Sequence, residues 1–296
     1  MSTPEAVIAF HVGDAAVRVR GVQIGEGVLD PILRRHAYPP AVARLLGEAL
    51  LLASLLGHAL KFDGKLVLQV QGDGPVPLLV AEYVSGGALR GYARLDPERV
   101  DQITGSGPAA LCGQGVLALT VDQGAGTLPY QGMVALGGDR LGAMAEAFFS
   151  QSEQVPTAVR LAVSEVVVPG AAPYWFGGGM LIQRVAADAA RSDTAEAWET
   201  VTALFGTLTD GELADPGLQI DRVAVRLFHE LGVARSEAQP LSDQCSCSRE
   251  RFVGVVAQLE PDVRAGLADP DGWLRAKCQF CAREHAISPE EAAGFG

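Results

Sequence analysis

The chain has 296 residues, a formal net charge of -12, and 48% hydrophobic against 20% charged residues. Enough apolar surface is present to offset the entropy of ordering, which excludes wholesale disorder. The acidic balance excludes nucleic acid as the main partner, because phosphate binding draws on clustered Lys and Arg.

The length leaves room for one large domain and one or two smaller modules. Residues 1–5 are polar, with no basic segment leading into an apolar stretch, so a cytoplasmic chain without a secretory signal is expected. Residues 7–24 alternate loosely and predict paired strands, with Gly13-Asp14 in the turn. A short helix is expected over residues 31–35. Pro39-Pro40 then opens a long apolar helix to about residue 60, since proline is tolerated in a first turn. Its most membrane-like part, residues 45–60, carries Glu48 and His58 and is too short to span a bilayer. A buried helix is expected instead, with Arg44 and Glu48 one turn apart on its solvent edge and no membrane partner.

Residues 65–71, 76–84 and 88–94 are rich in Val and Leu and separated by Gly-, Asp- and Pro-containing turns, which predicts a strand meander. Further strands are expected over 115–121, 132–136, 158–168 and 179–184, with a helix over 139–152. The glycines at 177–179 allow a bulge or a close strand approach. Grouped strands mixed with helices give an α+β fold. Later, Asp193 with Glu196 has a capping-box pattern opening a helix to Phe205, and a second helix is expected over 220–231. Acidic, Gly- and Pro-punctuated stretches at 209–217 and 236–243 separate and follow them. The expected organisation is an α+β core domain over 1–185, a helical linker leaning on it over 186–243, and a small C-terminal module over 244–296.

Four of the five cysteines are crowded into that last module, and in a reducing compartment such a cluster points to metal or redox chemistry. Cys245-Ser246-Cys247 and Cys278-Gln279-Phe280-Cys281 are two thiol pairs that can converge if the intervening segment folds back. Four thiolates suit tetrahedral zinc, whereas hard cations demand oxygen ligands. Metal ligation by Cys245, Cys247, Cys278 and Cys281 is therefore expected, with one Zn²⁺ per chain. His285 offers an alternative ligand or a hairpin-packing residue. Helices are expected over 248–259 and 261–267, a turn at 269–272, and a terminal helix opened by Ser288, Pro289 and Glu291. A module of this size has a marginal core, so the metal must supply much of its stability. Arg249, Arg251, Lys277 and Arg283 flank the cysteines, and positive neighbours would keep the thiols ionised and open to oxidants. Cys278 and Cys281 have the spacing of a redox-active pair, and Cys245 with Cys247 could bridge locally. An inert zinc clasp fits the same residues.

The stretch Cys245-Ser-Cys-Ser-Arg-Glu-Arg251, followed by Cys278-Gln-Phe-Cys281, resembles the signature of the thirty-three-kilodalton heat-shock chaperonin family, the redox-regulated holdases. Lys61-Phe-Asp-Gly64, Gln71-Gly-Asp-Gly-Pro75, Pro129-Tyr-Gln-Gly132, Ser152-Glu-Gln-Val-Pro-Thr157, Gly178-Gly-Met-Leu181 and Leu227-Phe-His-Glu230 are similar to family motifs, in order. The resemblance spans nearly the full length. It implies a reduced, zinc-bound, inactive monomer that oxidative stress turns into an ATP-independent holdase. It further implies Cys245–Cys247 and Cys278–Cys281 disulfides, zinc release, unfolding of a redox-sensitive linker, homodimerisation, and binding of unfolding client proteins through exposed apolar surface. Phe252 stands near where many relatives carry another Cys, the region around Trp273 and His285 is less familiar, and Cys112 matches no family role and defaults to the core.

Catalysis is not expected. The Gly72-Asp-Gly-Pro75 and Gly105-Ser-Gly-Pro108 segments lack the Lys-Ser/Thr tail of a phosphate loop and read as turns. Ser152 and Glu153 with His11, His36, His58 or His229 come with no nucleophile elbow. A dithiol-disulfide oxidoreductase centred on Cys278 and Cys281 is the enzyme alternative, weakened by the second cysteine pair and the missing βαβ context. A zinc-clasped scaffold is the third reading.

Overall fold

A computed structural model of the chain describes residues 5–59, 63–99, 101, 103–124, 126–185 and 194–294. Lys61 and Phe62 of one family-like block, and Asp193 of the expected capping box, lie outside the described residues. The chain divides into two compact units, Met1–Asp243 and Gln244–Gly296.

The first unit holds two sheets. In one, β1 (Ala6–Val12) and β2 (Val17–Ile24) pair antiparallel, and β2 continues to β9 (Tyr174–Arg184) and β8 (Thr157–Val166). The turn between β1 and β2 requires Gly13, whose φ is +46 and whose missing Cβ would lie 2.3 Å from the Leu231 carbonyl oxygen. The other sheet contains β3 (Lys65–Gly72), β4 (Leu78–Val84), β5 (Ala88–Arg94), β6 (Gly115–Asp122) and β7 (Tyr130–Ala135), in the order β5-β4-β3-β6-β7. Alternating Val and Leu in these strands put one set of side chains on a shared core, as period two demands. The expected α+β fold is what the chain adopts.

Between the sheets lies α2 (Pro40–Gly57), preceded by α1 (Leu29–Arg34). Its first residue is Pro40, and Leu45, Leu46, Leu50, Leu51, Leu52 and Leu55 are fully buried around its circumference. A helix apolar over most of its circumference must be covered over most of it. Strands of both sheets do this, with β2, β8 and β9 from one and β3, β4 and β5 from the other. By length and composition α2 could cross a membrane, and it is a core helix here. Close packing explains the glycine run in β9. The ladders to β2 and β8 pass through Gly177, Gly178 and Gly179 without a bulge, so only the close-approach half of that expectation holds. A Cβ on Gly178 would stand 2.4 Å from the Leu213 carbonyl oxygen, and one on Gly179 2.9 Å from a Leu161 methyl. The expected helix over 139–152 is α4 (Leu141–Phe148) followed by a π-helical turn, Phe149–Glu153, that ends on left-handed Gln154. The Tyr130 hydroxyl donates to Glu153 at 2.6 Å, joining two of the family-like blocks. A short helix, α3 (Pro108–Cys112), sits where a turn was expected and buries Cys112 completely.

The outer face of the β1-containing sheet is covered by α5 (Thr194–Phe205), α6 (Asp210–Leu213) and α7 (Ile220–Phe228). In α7 the buried residues Ile220, Val223, Ala224, Leu227 and Phe228 recur at helical spacing and form one apolar stripe. They pack with Val201, Phe205 and Leu213 onto Ile8, Phe10, Val12, Val19, Met180 and Ile182. Buried Gln23 fixes the register: its amide donates to the Leu218 carbonyl, and its oxygen accepts from the Ile220 N–H, both at 2.8 Å. The chain then runs along sheet edges. β10 (Val233–Arg235) and β11 (Gln239–Pro240) pair antiparallel with β1, and β12 (Ser242–Asp243) pairs parallel with β5. Asp243 closes this strap with an ion pair to largely buried Arg35.

The second unit contains α8 (Arg249–Ala257), α9 (Pro261–Leu267), a hairpin of β13 (Leu274–Lys277) and β14 (Glu284–Ile287), and α10 (Pro289–Ala293). Ser248 caps α8 through the Arg251 N–H at 3.2 Å, and Ser288 and Glu291 cap α10 reciprocally. Among the described residues, its fully buried apolar side chains are Val256, Leu274 and Ile287.

Candidate metal centre

Cys245 and Cys247 lie on the extended segment that leads into α8, and Cys278 and Cys281 on the turn of the β13–β14 hairpin. That turn is tight for a local reason. The Cys278 carbonyl accepts from the Ala282 N–H at 2.8 Å, Ala282 is left-handed with φ 59, and the Cys278 N–H donates to the Arg283 carbonyl at 2.8 Å. Both sulfurs of the pair therefore project from one knuckle, and β13 and β14 hold it rigid. Capping by Ser248 starts α8 immediately after Cys247, so the second pair is also anchored at an element boundary.

The four sulfurs lie within 4.8 Å of one another. Cys245 Sγ is 3.8 Å from Cys278 Sγ, and Cys247 Sγ is 3.3 Å from Cys281 Sγ. For zinc–sulfur bonds of about 2.3 Å, tetrahedral geometry sets sulfur separations of about 3.8 Å, so the donor set fits that ion in number, type and spacing. Burial, and then the neighbouring thiols, push the Cys247 thiol well above its ordinary range; burial also raises Cys281, against a backbone hydrogen bond from Arg283. A cation held by these sulfurs would invert that balance and favour the thiolates.

Two of the four flanking basic residues have partners other than the thiols. Arg249 is engaged with both carboxylate oxygens of Glu291 at 2.6 Å, and Arg251 donates to the Ser246 hydroxyl at 3.2 Å. Sequence proximity placed these two charges beside the thiols, and the fold engages them in clamping α8 to α10 and in a bond to the Ser246 side chain. His285 is not one of the four clustered donors. Its Nε2 stands 3.5 Å from Cys247 Sγ, and its ring packs against Phe252 at 6.2 Å. It can donate to a Cys247 thiolate and orient it, a contact that four-residue spacing from Cys281 does not reveal. Cys112, in the first unit, is pushed up to about 12 by burial and belongs to the core. The histidines considered for hydrolysis are dispersed: His11 meets Ser236, His36 packs on Tyr38 and Tyr92, and His229 faces the Arg226 carbonyl.

Comparison with known proteins agrees with this geometry over almost the whole chain. The family model described as Hsp33 protein matches residues 5–288. The chain belongs to the Hsp33 family. An Hsp33 relative, the 33 kDa chaperonin of Caulobacter vibrioides (strain NA1000 / CB15N), is 42% identical over 292 residues, covering 97% of this chain and 96% of its own. The 33 kDa chaperonin of Pseudomonas paraeruginosa (strain DSM 24068 / PA7) is 37% identical, covering 99% and 95%. The crystal structure of the 33 kDa chaperonin from Thermotoga maritima superposes with a TM-score of 0.77 at 24% identity, covering 98% of this chain and 97% of its own, and shows the fold to be shared. As an Hsp33 protein the chain is a redox-regulated chaperone, a holdase and not an enzyme. Its four clustered cysteines could hold a metal ion.

Proposed function

We propose that this chaperone is inactive while Cys245, Cys247, Cys278 and Cys281 hold one zinc ion, and active once those thiols are oxidised. The convergence of four sulfurs within 4.8 Å carries the reading. Bound zinc supplies a cross-link between the segment before α8 and the hairpin turn, worth about 10–16 kcal/mol of apparent folding free energy in small domains. Three fully buried apolar side chains cannot replace that cross-link.

Oxidation pairs Cys245 with Cys247 and Cys278 with Cys281. In each pair two thiolates give two electrons to one peroxide, the O–O bond breaks, an S–S bond forms, and two hydroxide ions leave. No thiolate donor then remains. The functional divisions are the core domain (1–185), the linker (186–243) and the zinc-binding module (244–296). Loss of order in the module spreads into the linker that runs into it. Release of α5–α7 bares Ile8, Phe10, Val12, Val17, Val19, Met180 and Ile182, now covered on the outer face of the β1 sheet. A contiguous apolar surface of that kind binds unfolding clients and, between oxidised copies, supports a homodimer. The setting is the cytoplasm, where thiols are reduced until stress.

The test measures zinc content and suppression of aggregation of a heat-unfolded model protein, before and after peroxide. Suppression that appears only after zinc release is expected. Equal suppression with zinc retained overturns the reading. Dithiol turnover in a chain that never binds zinc points to the oxidoreductase, and a zinc-bound chain with neither property is a scaffold.

A further inference from the structure

The strap over residues 232–243 covers a strand edge with unusual composition. Gly13 N–H donates to the Gly232 carbonyl at 2.8 Å, Ser236 N–H to the Ala9 carbonyl at 2.9 Å, and Leu241 N–H to the Glu5 carbonyl at 2.9 Å. Between these bonds, Phe10, His11 and Val12 lie opposite Arg235, Ala234 and Val233, and Ala6 and Val7 lie opposite Pro240 and Gln239. Alternate residues of a strand turn their backbone polar groups to the same side. The odd-numbered residues from Glu5 to Gly13 therefore face the strap, and the even-numbered ones face β2.

From Ala6 to Gly13 the sequence is Ala-Val-Ile-Ala-Phe-His-Val-Gly, without Asp, Glu, Lys, Arg or Pro. Those are the residues by which exposed edge strands avoid pairing with other chains, and β1 carries none of them. Its cover is slight. The ladder is three residue pairs with β10 and two with β11, and β11 includes Pro240, which has no N–H to give. A strong template thus lies under a weak lid.

We propose that the outer edge of β1 is a docking rail for extended segments of non-native polypeptide, exposed when the strap lifts away. This rests on the linker release described under the proposed function. An unfolded segment brings unpaired N–H and C=O groups, and strand addition satisfies them without regard to side-chain sequence. The occupant is of the same kind as the present one, an added antiparallel strand. The rail is also continuous with the apolar face bared by the linker, because Ile8, Phe10 and Val12 of β1 belong to that face. A client strand laid on β1 extends the sheet and sets its own alternate side chains in line with them.

Residue-resolved amide exchange on the full chain tests the rail in three states: zinc-bound and reduced, oxidised, and oxidised with thiol-blocked, unfolded α-lactalbumin. The amides of Val7, His11 and Gly13 should lose protection by about a hundredfold on oxidation and regain at least about tenfold with the client, while those of Ile8, Phe10 and Val12 stay protected. Odd-numbered amides that keep exchanging freely in the client complex overturn the rail and leave linker release standing. Recovery that follows protein concentration without client assigns the edge to a second copy and also overturns it. Odd-numbered amides that never lose protection on oxidation refute linker release and the rail together.

Discussion

Glu48 shows how a single carboxyl acquires a property from residues distant in the chain. It lines a cleft of about 190 Å³ with Arg44, Asp139, Arg140, Arg160 and Asp210. Burial first, and Asp210 next, push it up to about 7 against the pull of Arg140. Its folded pKa exceeds its unfolded one, so its contribution to stability is complete below about pH 4.5 and is lost as pH rises through about 7. Glu48→Gln removes that loss. The variant should be more stable than the parent by about 1–2 kcal/mol at pH 8 and equal to it near pH 4.5, as read by urea unfolding at both values. A difference that does not change with pH would contradict the assignment. Spacing alone put Arg44 and Glu48 on a shared solvent edge; Arg44 is exposed, but Glu48 is half-buried in a cleft that Asp210 of α6 also lines. The convergence of the four cysteines was legible, because thiol type and local spacing are written in consecutive residues. The Cys247–His285 contact was not, because it forms across the hairpin.

At the scale of elements, α7 is the clearest case of a helix whose docking decides its role. Phe228 is fully buried at the C-terminal end of its stripe, against the β1 sheet. Phe228→Ala should cost about 3–5 kcal/mol of local stability, by lost burial plus the cavity left behind. Weaker docking of α7 should then let the reduced, zinc-bound protein suppress client aggregation without peroxide, with faster exchange over residues 220–228 confirming the cause. Fast exchange with no gain in suppression would separate the α7 face from client binding. The helices α5 and α7 were legible from periodicity. The capping box of α6, Thr209 with Glu212, was equally present in the sequence, with N–H to Oγ1 at 3.3 Å and the reciprocal bond at 2.9 Å. The Gly and Pro around it mask that signal, since they read as turn residues. Strands β10 to β12 gave no signal at all. Pieces of two or three residues have no period, and only the edge they pair with makes them strands.

For the whole molecule, the division into Met1–Asp243 and Gln244–Gly296 implies two unfolding transitions, since each unit has its own core. Zinc chelation under reducing conditions should abolish amide protection over residues 249–291 and leave residues 45–56 of the central helix protected. Hydrogen exchange with mass analysis reads both at once. A single cooperative loss across the chain, or a second unit unchanged without metal, would refute the dependence of that unit on its cross-link.

The sequence by itself determined the fold class, most of the longer elements and the four cysteines that cluster, because hydrophobic period, turn residues and thiol spacing are local quantities. The tertiary structure decided which apolar face the linker covers, which edge the strap closes, and where the charges around the thiols are spent. Those outcomes depend on surfaces brought together from distant parts of the chain, and pairing energies between such surfaces leave no mark on either segment read alone.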